Sequence, residues 1–273
     1  MRSIITIAVF GALSSAALAQ ETMHVEAATM PSPGTFVLRE MFHYSEHGRN
    51  PNTGSESTTR YEWLHTLQFG LVRDLSLRVD VPIEWRTEDD PDNSDKGVSE
   101  IDLMLKYRFY RHDSNQLDTF RAALLGGASV PSGDDHDFSS NSVNPFIGVV
   151  ATMVRGRFGL NQDAIFKWNT NGGDDYNFGG DGPSEAFAHN TSLLWRLSPE
   201  EFTADSHAGL YAFIELTGLY ETNGDYEVLS GPGIMYEARA FAIEAMIHFP
   251  VYEQVDERPE TDLRVGIGVR FSF

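Results

Sequence analysis

The 273-residue chain contains no cysteine. A chain of this length without disulfides must hold its fold by packing and hydrogen bonds, so a small stapled secreted scaffold is excluded. The sequence also has no stretch approaching the roughly 18 uninterrupted apolar residues a membrane-spanning helix requires. Basic residues are scarce: 20 Lys and Arg stand against 40 Asp and Glu, for a formal charge of −20. With no basic patch, nucleic acid and acidic polymers are not expected partners. Neither Gly-x-Ser-x-Gly nor His-Glu-x-x-His occurs, and the glycines around Gly172-Gly173 and Gly179-Gly180 lead into no helix that would make them a phosphate cradle. No Pro/Gly/Ser-rich linker divides the chain, which favours one domain.

What the sequence does contain is organised by position. Residues 1–19 read as a secretory signal, with Arg2 as the basic end, Ile4 to Leu13 as a short apolar run and Ala17-Leu18-Ala19 as the small-residue cleavage motif. The mature chain then begins near Gln20, with residues 20–34 as a periplasmic N-terminal segment and 35–273 as the folded domain. Strict alternation dominates that domain. Leu75, Leu77, Val79, Val81, Ile83 and Trp85 interleave with Ser76, Arg78, Asp80, Pro82, Glu84 and Arg86, which places one set on each face of a strand. Residues 100–109 and 262–273 repeat the pattern. Average hydropathy is below zero, yet barrel strands carry their lipid face on every second residue only, so the average is blind to them.

Extending the template predicts strands near 35–46, 58–71, 75–86, 98–110, 119–131, 143–154, 157–168, 185–197, 208–221, 227–237, 240–251 and 261–273. Each is long enough to cross a bilayer when tilted. Register is weakest in 143–154, and Glu40 falls on the apolar face of the first strand. Long polar connections mostly follow odd-numbered strands and tight turns even-numbered ones, the arrangement of a barrel with both termini on the periplasmic side. Two connections, 111–118 and 198–207, are longer than that rule wants. Aromatic residues fall at two levels, with Trp63, Trp85, Trp168, Tyr220 and Phe249 at one and Phe69, Tyr107, Phe120, Phe158, Trp195, Phe241 and Phe271 at the other, as interfacial girdles require. The expected fold class is all-β: a transmembrane antiparallel up-and-down β-barrel of about 12 strands with a polar lumen, in the outer membrane of a Gram-negative bacterium.

Several stretches carry a resemblance. Gly97 to Phe109 (GVSEIDLMLKYRF), Ala128 to Asp134 (ASVPSGD), Ser230 to Tyr236 (SGPGIMY) and the closing Leu263 to Phe273 are similar to the outer-membrane family named for the MetA pathway of phenol degradation, whose members are described as transporters. The resemblance implies a transport-type barrel for small solutes, with hydrophobic and aromatic ones among the candidates. It brings no catalytic residue and no cofactor. Phe273 after alternating aromatics also resembles the signal that barrel-assembly machinery reads.

The registers turn a charged set inward: Arg60, Glu62, Arg78, Asp80, Glu84, Glu100, Asp102, Lys106, Arg108, Arg121, Asp163, Lys167, Arg196, Glu215, Glu237, Glu244, Arg264 and Arg270. Its plainest role is mutual pairing across the lumen, since an unpaired charge in a narrow interior is costly. A solute-filtering constriction is the functional alternative. The acidic excess lies in the outer loops, in Glu88, Asp89, Asp90, Asp92 and Asp95, in Asp134, Asp135 and Asp137, and in Asp174, Asp175 and Asp181, none with the spacing of a calcium loop. No metal site is expected, and lipid and lipopolysaccharide are the expected surroundings. A closed structural or adhesive barrel is the second reading. A barrel hydrolase is the third; His65, His189 and Thr191, all on the proposed lipid face, are its only support, and no enzyme activity is expected.

Overall fold

The computed structural model describes residues 20–273 apart from 52–53, 90–93, 116–117, 133–137, 171–179, 181, 183 and 204–205. The expected signal and most of the loop carboxylates (Asp90, Asp92, Asp134, Asp135, Asp137, Asp174, Asp175 and Asp181) lie outside the described residues.

Period-two sequence becomes strand wherever it was read. The order is β1 (Phe36–His47), β2 (Thr58–Val72), β3 (Leu75–Glu88), β4 (Ser94–Val98), β5 (Ile101–Asp113), β6 (Thr119–Val130), β7 (Asn144–Arg155), β8 (Phe158–Lys167), β9 (Ala186–Ser198), β10 (Ala208–Glu221), β11 (Tyr226–Ala238), β12 (Phe241–Gln254) and β13 (Thr261–Ser272). Every pairing is antiparallel between neighbours, and β1 joins β13 from Val37 opposite Ser272 to His47 opposite Thr261. The sheet therefore closes on itself; among the described strands only the short β4, which pairs with β3 alone, keeps an edge without a strand neighbour. Phe36 and Phe273 exchange backbone hydrogen bonds of 3.2 and 2.9 Å at the seam.

Thirteen strands occupy twelve places around the wall, because β4 and β5 share one. β3 pairs with both, Ile83 standing opposite Val98 and Asp80 opposite Asp102. The register slips by one residue at Pro82, which has no N–H to give the ladder; the facing chain takes an extra residue there as a bulge. The single strand expected over 98–110 is broken for this reason.

Alternation sorts side chains as predicted along most of the wall. On β5, Leu103, Leu105, Tyr107 and Phe109 are exposed outward while Met104, Lys106 and Arg108 are buried inside. In β7, whose sequence alternates least, Ile147, Val149 and Met153 face out and Val150, Thr152 and Val154 face in. The end carrying Phe36 and Phe273 is called the near end; its aromatic ring is visible in the pairings Phe36 with Phe69, Phe241 with Phe271 and Phe158 with Trp195. Trp63, Trp168, Tyr220 and Phe249 are exposed toward the other, far end. Glu40 does sit on the outer face. It is held there by His65 Nδ1 at 2.6 Å and by the Trp63 indole N–H at 2.9 Å.

Candidate functional site

The segment ahead of β1 defines the interior. Sequence reasoning set residues 20–34 apart from the barrel, on its periplasmic side; the structure instead folds this stretch into the lumen. Gly34 N–H bonds Gly70 O at the near rim, the chain climbs to His24 and Glu26, and it returns so that Gln20 O accepts from Asn161 Nδ2 at 2.8 Å. Alternation operates here too: Met23, Val25 and Ala27 are buried while His24 and Glu26 are only partly so.

Wall side chains replace the strand partner this extended segment lacks, as buried backbone groups demand. Asp163 accepts the Glu26 N–H at 2.8 Å, Thr152 Oγ1 the Ala28 N–H at 2.8 Å and Glu215 the His24 N–H at 3.2 Å. Arg39 donates to Thr22 O at 2.8 Å and Lys106 Nζ to Ala27 O at 2.8 Å. Charges on the segment are matched as well. Glu26 pairs with Lys106 at 2.6 Å and with Arg78, and Glu21 lies 3.7 Å from Arg270. Apolar contact completes the docking: Met23 packs with Met41, Tyr211, Phe213, Met235 and Met246, and Ala28 with Met104, Ala123, Leu125 and Val150. The strands led to the expectation of a polar lumen; the structure instead places small apolar clusters under the segment in its near half.

The predicted inward charges fall into three groups. Near the segment lie Arg78, Asp80, Lys106, Asp163, Glu215, Glu244 and Arg270; here Arg39 holds Glu244 at 2.6 Å, Arg270 pairs with Glu237, and Arg78 reaches Asp80 at 2.8 Å. Further toward the far end, Arg60 bridges Glu84 at 2.6 Å and Glu62 at 2.9 Å. Asp102 accepts from Ser129 at 2.5 Å, and Glu100 accepts from the Ser140 hydroxyl of the following loop at 2.5 Å. Arg108, Arg121 and Arg196 belong to neither region. They sit at the near rim, on Asp74 at 2.8 Å, on Asp113 at 3.4 Å and on the carbonyls of Pro199 and Glu200. The long connections at 111–118 and 198–207 supply the partners of Arg121 and Arg196, and the β2–β3 turn supplies that of Arg108. Outside the wall, the Ser57 hydroxyl and the Glu56 amide hold the Asp89 carboxyl below the usual carboxylate range.

Open space remains beside the segment. A cavity of about 260 Å³ is bounded by Met23 to Glu26, Arg39, Met41, His43, Ser45, Arg60, Glu62, Leu64, Arg78 and Arg264. A second of about 220 Å³ shares Arg60, Glu62, Leu64 and Arg78 and is lined by Lys167, Asp102 and Glu100 beyond them. Among the described residues, Arg264 forms no hydrogen bond or ion pair. His24, His43, His248 and Arg39 were missed by sequence reasoning. For His248 the signal was present, since it shares the face of Glu244 on β12, the face opposite to that of the outward His65 and His189 on their strands. His189 bonds the Tyr226 hydroxyl at 2.9 Å.

A twelve-stranded closed barrel with an inward-folded leader and a charged, partly open bore defines a class: outer-membrane-type β-barrels. The sequence narrows it, because residues 52–264 match the family described as "Putative MetA-pathway of phenol degradation", and the chain belongs to that family. Among solved structures it is similar to an outer membrane channel from Pseudomonas putida F1, with 14% identity over 91% of this chain and 100% of that one, at a TM-score of 0.60. The NanC porin (13% identity, 86% and 98% coverage, TM-score 0.46) and the KdgM porin (9%, 85% and 99%, 0.45) are looser likenesses. No curated protein matches the chain in sequence.

Proposed function

We propose that the protein is an outer-membrane channel for small solutes, with its near end toward the periplasm, and that it favours solutes carrying a negative charge. The observation that supports this is Arg264, which lines the larger cavity and among the described residues has no ion-pair partner, whereas Arg39, Arg60 and Arg78 beside it are held by Glu244, Glu84 and Asp80. In a low-dielectric bore a cation without a counter-ion attracts an anion far more strongly than it would in water. Met41 and Leu64 beside the guanidiniums suit an apolar body with one charge, such as an aromatic carboxylate or a phenolate. The family's description in terms of phenol degradation agrees with that choice.

Planar-bilayer recording of the purified chain across a KCl gradient tests the proposal. Discrete current steps with a reversal potential on the chloride side are expected, and Arg264→Ala should move that potential toward zero. Cation selectivity in the parent would refute the anion preference. A second reading, a closed barrel whose outer loops engage a partner, draws support from the tightly docked segment; total absence of steps would favour it. In either reading, lipopolysaccharide surrounds the far end and the assembly machinery engages Phe273.

A further inference from the structure

Three imidazoles and a carboxylate converge inside the barrel where the docked segment meets the wall. Glu215 on β10 is fully buried, and one of its oxygens, Oε2, lies 3.2 Å from His24 Nδ1 and 3.3 Å from His248 Nε2 on β12. Among the described residues its ion-pair partners are these two histidines alone, so no arginine or lysine pairs with this buried carboxylate. Neither ring nitrogen of His248 makes a hydrogen bond of acceptable geometry, although the side chain is wholly buried. A buried imidazole with both nitrogens unsatisfied is an unusual thing for a protein to retain.

We propose that His24, Glu215 and His248 form a binding site for a divalent first-row transition-metal cation of the zinc type, which ties the N-terminal segment to β10 and β12. The geometry is close to what such an ion takes. Ligands about 2.0–2.1 Å from a tetrahedral centre stand roughly 3.3 Å from one another, and two of the three ligand separations already have that value. All three ligand atoms lie within 4.8 Å of one another, so only the approach of His24 to His248 must tighten, and His24 sits on the pliable segment rather than the wall. Two imidazoles and a carboxylate are a donor set for zinc, nickel or copper, not for calcium or magnesium.

His43 reinforces the assignment. Its ring lies 4.8 Å from that of His24, its Nδ1 is 2.8 Å from Glu62, and its Nε2 is buried without a hydrogen bond. A carboxylate behind one ring nitrogen and a free second nitrogen is the pairing that metal-bound histidines carry. His43 therefore stands beside His24, outside the three-residue set itself. The consequence is a latch: the cation has one ligand on the segment and two on the wall, and holds the docked state in proportion to its concentration over its dissociation constant.

Zn²⁺ titration of the mature chain in detergent, followed by calorimetry, tests the site without reference to conductance, and Co²⁺ serves as a spectroscopic probe. One ion per chain is expected, with intense visible Co²⁺ bands of tetrahedral coordination. His248→Ala and His24→Ala should each weaken binding at least tenfold, while His65→Ala and His189→Ala on the outer face leave it unchanged. Heat-modifiable migration on gels verifies that each variant is a folded barrel. If a folded His248→Ala chain binds Zn²⁺ as the parent does, or if the parent binds none, the assignment is overturned.

Discussion

Removing the Glu26 carboxylate should release the N-terminal segment from the lumen. Lys106 is 1% exposed and its ammonium contacts Glu26 Oε2 at 2.6 Å and one backbone carbonyl, Ala27 O, at 2.8 Å. In Glu26→Leu the other partner, Arg78, keeps Asp80 at 2.8 Å, so Lys106 is the charge left stranded. Stranding one member of a buried pair costs about 3–5 kcal/mol, and the retained carbonyl argues for the lower end. The penalty falls on the docked state alone, because water reaches Lys106 once the segment leaves and the strand ladder does not depend on Glu26. At 1.36 kcal/mol per factor of ten, about 3 kcal/mol moves the docked-to-released equilibrium by roughly two orders of magnitude. The absence of native cysteine makes the assay simple. Ala28, fully buried against Met104 and Val150, is replaced by cysteine, and its labelling rate by a small charged thiol reagent is compared with and without Glu26→Leu. A rise of about a hundredfold is expected; rates within threefold of each other would refute the view that this pair holds the segment.

Three further outcomes follow from the wall. Glu40 and His65 place a polar pair on the lipid face, and the double change Glu40→Leu with His65→Leu should stabilise the barrel by about 1–2 kcal/mol in urea titrations in lipid, whereas Glu40→Leu alone should gain less because His65 and the Trp63 indole lose their acceptor. A Cβ at Gly231 would lie 1.7 Å from the Ile247 carbonyl oxygen, so Gly231→Ala must displace β11 from β12 and should lower the yield of heat-modifiable barrel, whereas Gly126→Ala, with open space around it, should not. Deleting Phe273 removes both seam hydrogen bonds to Phe36 along with the terminal aromatic; slower membrane assembly in cells is expected, and unchanged assembly kinetics would argue against recognition of that residue.

The wall was legible because its physics is local. Where Leu103, Leu105 and Tyr107 alternate with Asp102, Met104 and Lys106, the pleat alone decides which side meets lipid, and no distant contact can change it. The break at Pro82 is legible in its missing N–H, although its side chain keeps the alternation. The interior was less legible. An inward parity says that Arg108 and Lys106 share a face but not that one is absorbed by a turn at the rim while the other meets a folded-in leader. Residues 20–34 gave little warning, since MHVEAA reads as an unremarkable short extended stretch until the wall supplies Asp163, Thr152 and Glu215 to its amides. The inward methionines Met41, Met235 and Met246 were a usable signal, because a purely water-filled bore has no use for them.

The last strand touches the first residues of the folded chain. Gly266 leaves room for the Met23 thioether and Arg270 reaches the Glu21 carbonyl at 3.4 Å, and β13 is also the strand that zips to β1. β13 thus serves the wall and its filling at once, since the strand that closes the cylinder also presents the surface on which Glu21 and Met23 rest. Slack in that closing stave would loosen its occupant as well, so the seam and the docked segment depend on one strand.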